Sequence, residues 1–395
     1  MADIAKPAKT HGVGVFLELR KRLESGLLIV GKDVASSPAD VVVTAGESSL
    51  RIKTPRGELS LTLPAGVNYE QGSCIPTPAE EFSGEELHFR LRIGVSRHPD
   101  QEASGNAMET LRAKETYCFH CQGCMTRLLE DREFKRVLPL PNCNWNAIVD
   151  DWCCHPDPFA KKLLPRAEDC LLGDTFLLLA KDGGCAQTLT EEESPVGSED
   201  SPDSKKPCRR LTLISCKSCS LVLGEAVAPE TLKLYITQVV VEPAVGDREL
   251  EASLNRSLFV EQTVAARLLG LSSSQSTFHF SVQTPDGKAF LLVWLLNSDS
   301  MTASVPETCV GDESSLGSPS LRASRALKLL YASCSDTGPQ QKDIVDSWEA
   351  NAIGHPVVLP LNVCEELLQV IDDSNSTLPA SMRCMRSYEV AYLRL

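Results

Sequence analysis

The chain has 395 residues, with 39 Lys and Arg set against 53 Asp and Glu, and a net charge of −14. Apolar residues make up 42% and charged residues 23%, the balance of a globular protein of two or three domains rather than a disordered chain. The acidic excess argues against direct nucleic-acid binding, and the longest apolar run, Ala289 to Leu296, is far short of the ~20 residues that cross a membrane.

In chain order, Met1–Lys6 carries no apolar targeting segment, so a cytoplasmic location is expected. Leu27–Val30 and Val41–Val43 are β-rich runs, and Leu50–Thr54 and Glu58–Leu63 flank a hairpin turn at Pro55-Arg56-Gly57. Leu87, Phe89, Leu91 and Ile93 alternate with Glu86, His88, Arg90 and Arg92, the period of a strand with one buried face. These signals predict a β-rich, sandwich-like domain over residues 1–110. A Cys-rich region is expected over 111–230, and within it residues 186–207, with Glu191-Glu192-Glu193, read as a solvated acidic linker. Residues 231–395 read as a mixed α+β domain, so the expected fold class for the whole chain is α+β. Leu232, Leu234 and Ile236 suggest a strand and Leu258–Leu271 a helix. Thr284-Pro285-Asp286-Gly287 predicts a hairpin between Thr277–Gln283 and Lys288–Asn297. After a Ser/Gly-rich break at Gly311–Ser320, the spacing predicts helices over Ser320–Ala332 and Leu361–Ile371 and a closing strand over Ser387–Leu395.

Sixteen cysteines in a reducing compartment point to metal or catalysis before disulfides. Cys118, Cys121 and Cys124 form C-x2-C-x2-C, and Cys216 and Cys219 form a second C-x2-C. Two intervening residues let a tight turn aim both sulfurs at one tetrahedral ion, and two such turns close a four-thiolate zinc site. The expected ligands are Cys121, Cys124, Cys216 and Cys219, with Cys118, Cys154 and His155 as alternates. A second cluster runs from Pro141-Asn142-Cys143-Asn144-Trp145 to Trp152-Cys153-Cys154-His155. Proline-bounded loops with large aromatics make good recognition elements because they lose little entropy on docking.

Other chemical signatures are missing. No G-x4-G-K-[ST], G-x-G-x-x-G, H-E-x-x-H or G-x-S-x-G occurs, and the seven histidines are scattered singly. Cysteine nucleophiles remain. Cys364 falls in the first turn of the expected Leu361–Ile371 helix, where Asn362 and Glu365 could form a capping box, and Cys384 stands between Arg383 and Arg386.

The order C-x2-C, Pro-Asn-Cys-Asn-Trp, Trp-Cys-Cys-His, C-x2-C and a Cys-containing C-terminal segment resembles the HECT-like, ubiquitin-conjugating-enzyme-binding ubiquitin ligase family. The resemblance covers essentially the whole chain and places a HECT-like stretch at 354–389. It implies a transferase that accepts ubiquitin from a conjugating enzyme and passes it to substrates and to itself, with cyclin B as a further partner. Cys364 stands about as far from the C-terminus as a HECT nucleophile does, although Val363 and Glu365 flank it where HECT lobes carry Thr and Phe. The same resemblance implies that the loop around Cys143, with Pro141, Asn142, Trp145 and Trp152, engages the metallo-β-lactamase-type endonuclease of pre-mRNA 3′-end processing. Cys143 would then meet that partner's metal, which adds a nuclear location and an inhibitor role. For the conjugating enzyme, Glu230–Pro243 reads as an edge strand, with Lys233 and Tyr235 on its rim and Val239-Val240-Val241 exposed.

Overall fold

The Ala289–Pro306 strand, 18 residues long, organises the chain. Its first half pairs with His279–Gln283, its second half pairs with Val13–Arg20, and Ser324–Ser333 runs along its other side. Between Leu295 and Ser300 the register slips twice against Ser324–Ser333. There the Asn297 side chain substitutes for the ladder: its Nδ2 donates to Ser300 Oγ at 3.1 Å, and its Oδ1 accepts from the Asp299 N–H at 3.1 Å. These bulges let a single strand serve two partners. The computed structural model describes residues 13–78, 85–96, 111–140, 164–195, 210–244, 255–306, 321–334, 339–351 and 353–395.

Around this strand an 11-stranded sheet runs from Cys384–Met385 through Tyr388–Arg394, Ser324–Ser333, Ala289–Pro306, Val13–Arg20, Ser25–Gly31 and Glu86–Val95 to Val67–Tyr69. The N-terminal strands therefore share a sheet with the C-terminal half. Their own core also draws in Met301, Ala303, Val305 and Ala323, beneath a four-stranded sheet that contains Val42–Ala45, Ser49–Thr54 and Gly57–Thr62. Over the C-terminal part lie the Arg256–Gln275 and Leu361–Ser376 helices. Val260, Val264, Leu268 and Leu271 of the first, and Val363, Leu367 and Ile371 of the second, bury one helical face each against Val293, Leu327 and Tyr331.

The middle of the chain closes around a separate core. A seven-stranded sheet, ordered Arg136–Pro139, Asp169–Leu172, Phe176–Ala180, Thr231–Tyr235, Val222–Ala228, Arg210–Cys216 and Leu189–Pro195, joins a three-stranded one of Arg132–Glu133, Thr116–Cys121 and Val239–Pro243. Tyr117, Phe119, Phe134, Leu179, Ile214 and Leu234 fill the space between them. Gly224 sits where the Val222–Ala228 strand meets Thr231–Tyr235, and a Cβ there would fall 1.8 Å from the Lys233 carbonyl oxygen. Gly224→Ala is expected to destabilise this module by about 1–3 kcal/mol through overpacking, read as a lower denaturant midpoint. An unchanged midpoint would show that the hairpin yields freely.

The predicted hairpins at Pro55-Arg56 and Thr284–Gly287 form, as do the helices at Arg256–Gln275 and Leu361–Ser376 and the closing strand Tyr388–Arg394. Three expectations fail. The segment expected to be a helix over Ser320–Ala332 is the strand Ser324–Ser333, with Ala326 to Ala332 buried between two neighbouring strands. A short apolar run buried on both faces carries no period that separates strand from helix. The acidic linker expected at 186–207 is instead, over Leu189–Pro195, an edge strand paired with Arg210–Cys216. An edge strand accepts charges because much of it faces water. Residues 196–209 lie outside the described part. Finally, within the stretch 230–243 expected to be an edge, Thr231–Tyr235 has a neighbour on each side; Val239–Pro243 does end the three-stranded sheet, but Val239, Val240 and Val241 are buried rather than exposed. No helix among the described residues is long and apolar enough to cross a membrane.

Candidate metal centre

Cys121 ends the Thr116–Cys121 strand and Cys216 ends the Arg210–Cys216 strand, and after each the chain makes the same turn. The Met125 N–H donates to Cys121 O and the Cys121 N–H to Thr126 O, both at 2.8 Å. The Ser220 N–H likewise donates to Cys216 O, and the Cys216 N–H to Leu221 O, again at 2.8 Å. Met125 and Ser220, each following the second cysteine of its knuckle, have φ of 57° and 60°, the left-handed conformation that turns the chain back. Gly123 leaves room for the opposing knuckle, since a Cβ on it would stand 3.2 Å from Leu221 and 3.6 Å from Cys219 Sγ.

The two turns bring four sulfurs together. Cys121 Sγ is 3.5 Å from Cys219 Sγ, Cys124 Sγ is 3.7 Å from Cys216 Sγ, and all four lie within 4.8 Å of one another. A tetrahedral ion with Zn–S bonds of ~2.3 Å requires S···S edges of about 3.8 Å, so this donor set fits zinc. Burial pushes the Cys121 thiol up, and it also raises Cys219. At Cys124 the upward push of burial is outweighed by hydrogen bonds from Thr126 and the neighbouring sulfurs, which bring the thiol down to about 6. A cation held by the four sulfurs would keep them as thiolates, offsetting the cost of burying them. Four protein sulfurs fill a tetrahedron, which suits a structural role and leaves no open position for substrate.

Among the alternates, Cys118 is not part of this cluster. On the Thr116–Cys121 strand it alternates with the buried Tyr117, Phe119 and Cys121, and its Sγ lies 2.9 Å from Asp131 Oδ1. The period-two side-chain alternation that places Cys121 inward turns Cys118 outward. Cys154 and His155, like Pro141, Asn142, Cys143, Trp145 and Trp152, lie outside the described residues. Sequence reasoning missed the shared left-handed position after each knuckle. Its signal is slight, since neither Met nor Ser marks that conformation as Gly would.

The C-terminal cysteines are placed very differently. Cys364 does fall in the first turn of its helix, but Pro360 rather than Asn362 is the N-cap, without a side-chain cap bond. Its sulfur is fully buried, 3.6 Å from Leu359 O, and burial, followed by the charge of Glu365, pushes the thiol up to about 12. That environment disfavours the thiolate that a nucleophile needs. Cys384 is exposed, on the outermost strand of the large sheet. The neighbouring Arg383 guanidinium is engaged by the carbonyls of Leu378 and Ser376, at 3.0 and 2.9 Å.

Lys233 and Tyr235 do not form an exposed rim. The buried Tyr235 hydroxyl donates to Glu225, Lys233 Nζ stands 3.4 Å from the same carboxylate, and it lies 4.9 Å from the centre of the Phe176 ring. The expected docking pair is an internal polar cluster of the seven-stranded sheet.

A family model described as HECT-like ubiquitin-conjugating enzyme (E2)-binding matches residues 18–390. The chain belongs to that family. Proteins named E3 ubiquitin-protein ligase E3D are similar along their whole length. The mouse protein is 38% identical over 96% of this chain and 98% of its own. The bovine protein is 37% identical over all of both chains, and the human protein 36% identical over 96% and 98%. No solved structure matches the chain significantly. The family match takes in the N-terminal sheet, both knuckles and the C-terminal helices. The match is thus to the assembled molecule rather than to one grafted motif.

Proposed function

We propose that the chain is a ubiquitin-protein ligase that holds a ubiquitin-conjugating enzyme and promotes transfer of ubiquitin to substrates and to itself. The observation that carries this reading is the E2-binding family match over residues 18–390, with full-length relatives that bear a ligase name. The four-cysteine centre would hold a structural zinc, and the cytoplasm, whose thiols are kept reduced, suits it.

The burial of Cys364 bears on the chemistry. A covalent route requires a thiolate that attacks the conjugating enzyme's thioester carbonyl and releases that enzyme's own thiol. A sulfur fully buried, with its proton held up to about 12, does neither. We place the transfer on the conjugating enzyme itself: a substrate amine attacks its thioester, its cysteine leaves as thiol, and this protein orients the two. Incubation with a charged conjugating enzyme is expected to give ubiquitin adducts that resist reductant, in wild type and in Cys364→Ala alike. A reductant-sensitive adduct that disappears in Cys364→Ala would overturn this route, and one that disappears only in Cys384→Ala would move the acceptor to the exposed cysteine. Absence of any transfer across a panel of conjugating enzymes would remove the ligase reading.

A further inference from the structure

The core around the knuckles and the core beneath the helices share no residue. Polar bridges cross between them. At one, Asp174 accepts from Arg267 Nη2 at 3.1 Å and lies 3.0 Å from His355 Nε2, while the Thr175 hydroxyl donates to Val358 O at 2.6 Å. The other begins inside the metal centre. Gln122 is the residue immediately after Cys121, it is buried, and its Oε1 accepts from Arg256 Nη1 at 2.8 Å. The same Nη1 donates to the carbonyl of Thr237, in the fully buried Thr237–Gln238 turn. That turn also holds the knuckle from behind, since the Gln122 N–H donates to Gln238 O at 3.1 Å. The other two guanidinium nitrogens of Arg256 grip Glu366 on the Leu361–Ser376 helix, Nε to Oε2 at 2.6 Å and Nη2 to Oε1 at 3.3 Å.

We propose that Arg256 is a positioning residue that couples occupancy of the four-cysteine centre to the placement of the Leu361–Ser376 helix. One planar guanidinium spans the knuckle, the Thr237–Gln238 turn and the helix. Its donors are fixed in a fork, so it binds all three only when their spacing is right. With metal in place, two ligands bracket Gln122 and its carboxamide is fixed. Without metal, the Cys121–Cys124 turn keeps only its backbone bonds, the Gln122 side chain is held less firmly, and Arg256 has a weaker acceptor at the end away from Glu366. Coupling of this kind is reciprocal: a change that breaks the latch must weaken metal binding by the factor with which metal strengthens the latch. The inference rests on the zinc reading of the centre and not on ubiquitin transfer.

The test uses the full chain. Zinc affinity is measured by competition with a chelator, and amide exchange over 361–376 is followed with and without the metal. Arg256→Ala is expected to weaken zinc binding about fivefold, at the lower end of typical couplings, and to remove the response of 361–376 to chelation. Arg256→Lys, which keeps the charge but not the fork, should recover only part. Should Arg256→Ala fail to fold, Glu366→Gln and Gln122→Ala, singly and together, make the same comparison from the two ends of the latch, and non-additivity in zinc affinity is the expected result. Zinc affinity within twofold of wild type in folded Arg256→Ala, or a chelation response over 361–376 that persists in it, overturns the latch. A chain with no zinc and no affinity for it overturns the metal reading as well.

Discussion

Removal of zinc by a chelator, or Cys216→Ser, is expected to unfold the middle of the chain while the large sheet stays paired. Cys121 and Cys216 end strands in different sheets of this module, and their side chains are part of its buried core. An ion there would cross-link the two sheets at the point where both turn back. Without it, four sulfurs remain crowded in a partly apolar site, and only weak sulfur contacts join one knuckle's sulfurs to the other's. Structural zinc sites contribute on the order of 10 kcal/mol of apparent binding energy at neutral pH, comparable to the whole stability of a domain. Purified protein should contain zinc by elemental analysis. Chelation should abolish amide protection over 111–140 and 210–244 and largely spare 279–306 and 321–334. The effect should grow as pH falls, because a thiol must lose its proton to bind, and acid therefore weakens the site. A zinc-free chain with full protection in the knuckle strands would end the metal assignment.

Spacing made the metal centre legible. The C-x2-C pairs at 121–124 and 216–219 needed no knowledge of the fold, because the turn that aims both sulfurs is local. Turns with proline and glycine were legible for the same reason, and so was the Leu361–Ser376 helix with its inward stripe. What the sequence hid depends on neighbours far along the chain. Ser324–Ser333 is a strand because Ala289–Pro306 and Tyr388–Arg394 flank it, and nothing within Ala-Leu-Lys-Leu-Leu-Tyr-Ala says so. Leu189–Pro195 is ordered despite its glutamates because Arg210–Cys216 offers a ladder. The two halves of Ala289–Pro306 unite the N-terminal strands with the C-terminal half, a union that composition along the chain cannot reveal. Cys364 shows the same limit at a candidate site. Its distance from the C-terminus and its place in the first helical turn were readable, whereas the direction of its sulfur, into the core, was not.

Glu18→Leu is expected to cost about 3–5 kcal/mol, and Lys328→Met added to it should restore most of the loss. Glu18 is fully buried in the strand that joins the N-terminal hairpin to Ala289–Pro306. Lys328 Nζ lies 3.2 Å from its Oε2, Arg20 Nη2 lies 3.1 Å from the same oxygen, and the Ser300 hydroxyl donates to Oε1 at 3.1 Å. Lys328 also sits 5.2 Å from the centre of the Tyr392 ring. Three strands of the large sheet thus meet on one carboxylate. Burial alone would push that carboxyl up, but the Lys328 ammonium and then the hydrogen bond from Arg20 outweigh it and hold Glu18 below its ordinary value. Leucine in its place leaves a buried ammonium without its carboxylate, and that uncompensated charge, more than the lost attraction, sets the size of the penalty. In the double variant both charges are gone and two apolar side chains fill the space, so stability should return towards wild type. The pH dependence has a definite sign. A depressed folded pKa means that the contribution of Glu18 is complete above the unfolded value of ~4.3 and is lost as pH falls through the folded value. Denaturant midpoints of the large sheet, followed between neutral and acid pH, should show that loss in wild type, and it should be absent from the double variant. A single Glu18→Leu variant as stable as wild type would show that the pair does not hold these strands together, and that packing of Leu17, Leu19 and Leu327 suffices.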